Sequence, residues 1–191
     1  REGGDLTVYR SPVEPARPRQ PLLAQMGALA EAVQVDGAPE LALDGLYDYR
    51  FEDGGITFLM FPAPKLSLEK HISQLPEALL ASYRLENRDG VVHTLRMRSV
   101  NELTPDYAAA LGQGRAAYSF YMQDERDPAV RNNLTGTALV LVTTPAAAVA
   151  DCTLNLLALQ VELAFEVRLE PHSHAVIEIE LRRISAPATA A

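Results

Sequence analysis

Apolar and polar residues alternate along most of the chain beyond Leu41. This period of two is typical of β-strands that bury one face, because successive side chains of a strand point to opposite sides. On this basis we predict about eight strands, at 46–51, 56–61, 82–86, 91–100, 116–123, 134–144, 157–169 and 175–182.

The turns between these runs predict how the strands pair. The sequence Glu-Asp-Gly-Gly at 52–55 predicts a hairpin between the first two strands. The turn at 87–90 predicts a second hairpin between the next two. The last two strands are joined by 170–174, with apolar residues on one face and charged residues on the other, so we expect them to form a long two-stranded ribbon.

Three helices are predicted where the spacing of apolar residues changes from two to three or four. Such spacing covers 22–33 and again 67–79, where Pro76 introduces a kink. A third short helix is predicted over 104–112, because Thr104 followed by a proline is typical of a helix start.

Together these elements predict an α+β fold with a largely antiparallel sheet of about eight strands, closed as a sandwich or an open barrel, and about three short helices. We expect residues 1–20 to form an extended proline-rich arm and 21–184 to form one α+β domain. The small, unpatterned residues 185–191 are expected to be a frayed tail.

Prolines at every third position characterise the arm. Pro12, Pro15, Pro18 and Pro21 match the three-residue turn of a polyproline II helix, and the segment ending at Arg17 fits the PxxPxR form. The arm therefore predicts a partner protein with an aromatic-lined groove that contacts Pro12, Pro15, Arg17 and Pro18. A stiff spacer is the alternative interpretation.

Composition excludes several classes of protein. With 48% hydrophobic and 22% charged residues the chain is not expected to be disordered, and a net charge of −8 with a pI near 5.0 argues against nucleic-acid binding. We find no apolar run long enough for a transmembrane segment. The single Cys152 excludes an internal disulfide.

The first residue of the chain and its high arginine content bear on the origin of the protein. Because the chain begins at Arg1 and its first methionine is Met26, we expect that the native start was removed, which fits both a periplasmic or secreted protein and a cytoplasmic one. Fifteen of the seventeen basic residues are arginine, which indicates a GC-rich, bacterial genome.

The sequence His172-Ser-His174-Ala-Val-Ile-Glu178 offers metal ligands, because two imidazoles two residues apart on a strand point the same way and Glu178 shares their parity. It resembles the first metal motif of the cupin family over this short stretch. The resemblance implies a divalent metal and a fourth ligand, for which His71 and His93 are the upstream candidates. The alternative is a polar hairpin tip and an exposed charged face.

Other residues carry weaker signals. The chain contains no GxSxG, Walker A or GxGxxG sequence. Tyr49 and Tyr121 are candidates to line a ligand cleft, although we expect the aromatic residues mainly to pack in the core. His93 is expected to be a hydrogen-bonded core histidine, His71 a surface residue, and Cys152 a small buried side chain.

We therefore predict a non-enzymatic protein-binding or assembly module, which uses the arm and the ribbon to bind another protein or a second copy. One alternative is a carrier or chaperone-like domain for an apolar ligand or peptide. The other is a small metal-dependent enzyme that uses His172, His174 and Glu178. No cofactor other than that divalent metal is predicted.

Overall fold

The computed structural model describes residues 29–42, 48–52, 54–106, 109, 117–154 and 159–185. Of these residues, 73% lie in strands and 1% are helical. The strands are β1 (Ala30–Val35), β2 (Leu41–Ala42), β3 (Asp48–Glu52), β4 (Gly55–Ala63), β5 (Leu66–Leu75), β6 (Ala78–Asn87), β7 (His93–Leu103), β8 (Tyr118–Gln123), β9 (Asp127–Asn132), β10 (Ala138–Thr144), β11 (Ala148–Leu154), β12 (Leu159–Leu169) and β13 (His174–Ile184).

The strands form two antiparallel sheets. One has five strands in the order β11-β12-β7-β1-β2, and the other has eight in the order β3-β4-β5-β6-β13-β10-β9-β8. The antiparallel pairing confirms that part of the prediction. The prediction of an α+β fold with three helices is wrong, because the described residues form two β-sheets and only 1% of them are helical.

The two sheets pack face to face around one hydrophobic core. Leu68, Tyr83 and Ile177 of the eight-stranded sheet and Met97 and Leu163 of the five-stranded sheet belong to the same buried cluster, and each is 0% exposed. Because every second residue of a strand faces this core, the period of two seen in the sequence is the signature of a two-layer β-sandwich.

The described parts of the first two predicted helices, 29–33 and 67–79, contain strands instead of helices for an identifiable reason, while 22–28 lies outside the described residues. In β5 the inward positions are Leu68, Lys70 and Ile72, and the lysine hides the apolar alternation, which leaves a spacing of four. In β1 both faces are buried, since Val33 packs in the main core and Ala32 in a second cluster, so no alternation is visible. Most of the third predicted helix, 104–112, lies outside the described residues.

Of the three predicted pairings, only the first hairpin is correct. β3 and β4 pair with each other, with Glu52 opposite Gly55, as expected. The second hairpin and the C-terminal ribbon are wrong, because β6 and β13 belong to the eight-stranded sheet whereas β7 and β12 belong to the five-stranded sheet. The segments 88–92 and 170–173 therefore carry the chain from one sheet to the other.

Buried Asn87, at the end of β6, joins these two crossovers. Its Nδ2 donates hydrogen bonds to the carbonyl oxygens of Val91 at 2.8 Å and Glu170 at 3.0 Å, and its Oδ1 accepts one from the backbone N–H of Asp89 at 2.8 Å. The backbone N–H of Asn87 donates to the carbonyl of Ser173 at 2.9 Å. One residue thus holds these two crossovers together at the same end of the sandwich.

Candidate functional site

The outer surface of β3, β4 and β5 carries a group of polar and aromatic side chains. Residues that pair in antiparallel strands point to the same side of a sheet, and the register aligns Arg50, Thr57 and His71 in one row across the three strands. We call this surface the polar face and define it by the outward-pointing residues Arg50, Glu52, Thr57, Leu59, Phe61, Glu69 and His71.

Three side chains of the polar face form a hydrogen-bonded relay. The Thr57 hydroxyl donates to Glu52 Oε2 at 2.7 Å and lies 2.8 Å from His71 Nδ1, while Glu52 Oε2 and His71 Nδ1 are 3.6 Å apart. Thr57 is buried, whereas a third of the His71 side chain and more of Glu52 are exposed. The buried hydroxyl therefore connects a carboxylate to an imidazole that reaches solvent.

Electrostatics keep Glu52 ionised. The hydrogen bond from Thr57 lowers the pKa of the Glu52 carboxyl, and the charge of Arg50 lowers it further. Arg50 Nε lies 2.6 Å from Glu52 Oε1, and its guanidinium is 3.6 Å from Glu69 Oε2. A guanidinium, two carboxylates and an imidazole thus occupy one small area of the sheet.

The absence of a side chain at Gly55 leaves space for the His71 ring. A Cβ at position 55 would lie 2.2 Å from the carbonyl oxygen of Ile72, and 2.9 Å from both Cε1 and Nε2 of His71. Any side chain there would push β5 away and displace the ring. The glycine that completes the first turn is therefore also a requirement of the polar face.

Exposed aromatic residues lie on both sides of this hairpin. Phe61 lies between Met60 and Ala63, which both pack against the core, at a shift in the register of β4 with β5, and 62% of it is exposed. Tyr49 and Phe51 point to the inner side, yet they are 63% and 76% exposed because β3 is the edge strand, and their rings meet edge to face at 5.8 Å. These three aromatic residues, expected to pack in the core, are instead on the surface.

A groove opens between the sheets at the other end of β4. Its volume is about 450 Å³, and it is lined by Val33, Val35, Asp36, Gly37, Ala38, Pro39, Leu41, Pro62 and Ala63. The one charged group of this lining, Asp36, accepts hydrogen bonds from the backbone N–H of Thr94 at 2.8 Å and from His93 Nδ1 at 2.6 Å. The Thr94 bond, followed by the His93 bond, lowers the pKa of Asp36.

His93 lies between two carboxylates. Besides its contact with Asp36, its Nε2 is 3.7 Å from Asp89 Oδ2, and 14% of the side chain is exposed. The ring therefore sits close to the surface, where it ties the β1–β2 turn to the start of β7.

A buried ion pair connects the two sheets. Lys70 Nζ of the eight-stranded sheet donates to both oxygens of Glu31 and to the carbonyl of Leu29, each at 2.8 Å, and the Tyr83 hydroxyl also donates to Glu31. Lys70 is 1% and Glu31 4% exposed. Burial lowers the pKa of Lys70 despite the opposing effect of Glu31. With so little access to solvent, this pair fixes the sheets and does not offer a binding surface.

The structure does not bring the sequence-predicted metal ligands together. His172 occupies a turn with a φ of 55°, His174 begins β13, and Glu178 lies four residues further, about 13 Å along the strand. Among the described residues, no three His, Cys, Asp or Glu side chains are placed to hold a metal ion. Metal binding at these positions stays a prediction from sequence.

The remaining sequence candidates are dispersed. Tyr49 and Tyr121 lie on β3 and β8, the opposite edges of the eight-stranded sheet, so they do not line one cleft. The Arg131 guanidinium lies over the Tyr121 ring at 5.2 Å. Cys152 is exposed on β11 instead of buried. The arm residues Pro12, Pro15, Arg17 and Pro18 lie outside the described residues.

Sequence reasoning missed the relay because it placed His71 on a helix. Had 66–75 been interpreted as a strand paired with β4, the same alternation that places Thr57 outward would have placed His71 beside it. The available signal was the sequence Ala-Pro-Lys-Leu at 63–66, a short turn between two runs of similar length.

Comparison with known proteins gives a fold and no family. The sequence matches no known family, and no curated protein resembles it in sequence. Three solved structures share its architecture: a proposed aldose 1-epimerase from Escherichia coli K12 (TM-score 0.52, 9% identity), a 4-alpha-glucanotransferase from Thermococcus litoralis (TM-score 0.50, 12% identity) and a polysaccharide lyase (TM-score 0.51, 10% identity).

The extent of these similarities differs. The aligned region covers 75% of this chain and 70% of the epimerase, 82% of this chain and 27% of the glucanotransferase, and 84% of this chain and 26% of the lyase. The chain therefore corresponds to most of the first protein but to about a quarter of the other two. At these identities the similarity establishes the β-sandwich fold.

These findings correct the functional prediction. The solved structures that share the architecture are named for acting on carbohydrates, and the prediction of a non-enzymatic protein-binding or assembly module is wrong. The ribbon on which assembly was to depend does not form, since β12 and β13 lie in different sheets. No helix in the described parts of the chain has the length and apolar character needed to cross a membrane.

Proposed function

We propose that this protein is a carbohydrate-binding β-sandwich and that the polar face is its sugar-binding surface. The observation that carries the proposal is the combination, on one exposed sheet surface, of an aromatic ring at Phe61 with the charged groups of Arg50 and Glu69 and the imidazole of His71. The carbohydrate-active proteins with the same fold support it.

The chemistry of sugars explains why this combination is suitable. A pyranose ring has one or two faces made of C–H groups and a rim of hydroxyls, so it needs an apolar platform beside groups that donate and accept hydrogen bonds. Exposed Phe61 supplies the platform. Arg50 donates, Glu69 accepts, and hydrogen bonds to such charged groups are the stronger ones.

Affinity electrophoresis tests the proposal with the full chain. Native gels containing amylopectin, xylan, galactomannan or heparin would be compared with a gel that contains no polysaccharide. We expect at least one of the four to retard the wild-type protein, and Phe61→Ala to abolish most of that retardation. Phe51→Ala is the matched control, because Phe51 is as exposed as Phe61 but lies on the other side of the hairpin.

The outcomes separate cleanly. Retardation that Phe61→Ala removes and Phe51→Ala leaves intact supports the polar face. If Phe51→Ala removes the retardation instead, the sugar binds on the inner side of the edge strand, which contradicts the proposed surface. If none of the four polysaccharides retards the wild-type protein, the proposed function is refuted.

A further inference from the structure

The relay of Glu52, Thr57 and His71 fixes where the proton of the imidazole lies. A threonine hydroxyl has one proton, and Thr57 gives it to the Glu52 carboxylate at 2.7 Å. At the contact of 2.8 Å with His71, the hydroxyl oxygen can then only accept, so Nδ1 of the ring must donate. A neutral His71 therefore carries its proton on Nδ1 and a lone pair on Nε2.

The ionised state of Glu52 supports this direction of the hydrogen bonds. The carboxylate is held by Arg50 at 2.6 Å, and its pKa is lowered, so it accepts the hydroxyl proton and does not supply one. Thr57 is 3% exposed, which keeps water from competing for its hydroxyl. The relay thus sets the tautomer of His71 through a group that solvent does not reach.

The second ring nitrogen, Nε2, belongs to a partly exposed side chain on the surface where a ligand would bind. The His71 side chain is 33% exposed, and its Cε1–Nε2 edge lies over Gly55, the residue that has no side chain of its own. The neighbouring strand β6 presents Ser82 in register with His71, and β13 presents Glu178 beyond it. Nε2 is consequently an oriented acceptor on a surface that otherwise carries carboxylates and guanidinium groups.

We infer that His71 Nε2 is a hydrogen-bond acceptor for a hydroxyl of the bound sugar, with Glu52 and Thr57 as the positioning residues that set its tautomer. The inference rests on the proposed function and adds to it a specific requirement. The ligand must present a hydroxyl to this point of the polar face, and a sugar with an O-alkyl or deoxy group there is rejected because Nε2 then loses its donor.

The first measurement needs no ligand. Long-range ¹H–¹⁵N correlation spectra of the ¹⁵N-labelled full chain at pH 8 report which nitrogen of each imidazole is protonated, and the His71 signals are identified by their loss in His71→Gln. We expect protonation on Nδ1 in the wild-type protein and on Nε2 in Thr57→Val, which keeps the shape of the side chain and lacks the hydroxyl. Protonation on Nε2 in the wild-type protein would overturn the inference.

The second measurement uses the polysaccharide gels. We expect Thr57→Val and His71→Gln each to weaken retardation about tenfold, the equivalent of one neutral hydrogen bond. Thr153→Val is the matched control, because Thr153 also donates to a carboxylate, Asp151 at 2.6 Å, on a strand of the other sheet. It should leave both the gel retardation and the His71 spectrum unchanged.

The two measurements distinguish failure of the inference from failure of the proposed function. Protonation on Nδ1 with unchanged retardation in Thr57→Val and His71→Gln would overturn the acceptor role while sugar binding stands. If the wild-type protein is not retarded at all, the sugar-binding role fails with the proposed function, and the spectrum alone reports whether the relay exists. Correct protonation together with tenfold weakening supports the whole inference.

Discussion

Replacing Lys70 by methionine should destabilise the protein more than any other change of a basic residue in the described chain. Lys70 donates three hydrogen bonds of 2.8 Å, two to Glu31 and one to the carbonyl of Leu29, across the interface between the sheets. Methionine has a similar length and leaves the packing nearly unchanged. The substitution therefore removes the charge and its hydrogen bonds and creates little new space.

The size of the expected loss in stability follows from the Glu31 carboxylate, which Lys70→Met leaves buried without a partner. At 2.8 Å two unit charges attract by about 6 kcal/mol at an effective dielectric constant of about 20, and this offsets the cost of burying both ions, which is several kcal/mol for each. Without Lys70 the cost of burying Glu31 remains and the attraction is lost. We expect the free energy of unfolding to fall by about 3–5 kcal/mol, as for other buried pairs that lose one partner.

Urea denaturation followed by circular dichroism measures this loss, and the chain offers a matched control. Lys65 is the other lysine; it lies 3.2 Å from Asp89, but 65% of its side chain is exposed. Lys65→Met should therefore cost less than about 1 kcal/mol. The double variant Glu31→Gln with Lys70→Met should be more stable than Lys70→Met alone, because it no longer buries an unpaired charge.

Two results would refute the reasoning. A loss below about 1 kcal/mol for Lys70→Met would mean that Glu31 escapes to solvent or takes up a proton at little cost. A double variant that loses the sum of the two single losses would mean that Glu31 and Lys70 do not interact energetically.

Three further changes test other parts of the fold. Gly55→Ala should lower the free energy of unfolding, measured in urea, by about 1–3 kcal/mol, because the new Cβ would lie 2.2 Å from the carbonyl oxygen of Ile72. Gly90→Ala is the control and should be close to neutral, because a Cβ there has no atom within 4 Å. Equal effects of the two substitutions would contradict the close approach of β5 to Gly55. Asn87→Ala should cost about 2–4 kcal/mol, because it leaves buried carbonyls unpaired, and faster amide exchange in both crossovers would locate the damage. Asp36→Asn should lower the stability at neutral pH, because the pKa of Asp36 is lowered in the folded protein and its charge therefore contributes stability above pH 3.8. This contribution is lost as the pH falls below 3.8, so the thermal midpoints of the wild-type protein and the variant should converge at low pH. A difference in midpoint that stays constant with pH would contradict the reasoning.

The first hairpin shows what local sequence predicts well. A Gly-Gly turn between two alternating runs requires strands that are adjacent and antiparallel, and β3 and β4 pair as that turn dictates. The register then aligns Arg50 with Thr57, so half of the polar face was available from sequence. The part of the polar face on β5 was not available, because the inward Lys70 interrupts the apolar alternation and led to the prediction of a helix.

The crossovers show what local sequence could not decide. The turn at 87–90 resembles a hairpin turn, and the chain on both sides of it is strand, yet β6 pairs with β13 and β7 pairs with β12. A turn brings two strands close but does not determine whether they share a sheet or face each other across the core. That choice depends on partners that are 56 to 104 residues away in the chain, which no local pattern records.

The sequence by itself determined the period of two, the first hairpin, the antiparallel pairing and the chemistry available on each strand. These follow from the alternation of side chains along an extended backbone, which is a property of neighbouring residues. Only the tertiary structure decided which strands pair, that Lys70 meets Glu31 in the core, and that Thr57 joins Glu52 to His71 on the surface. The physical reason is that strand pairing and the burial of charged groups depend on the packing of the two sheets together. In that packing, residues far apart in the chain supply each other's hydrogen bonds and opposite charges.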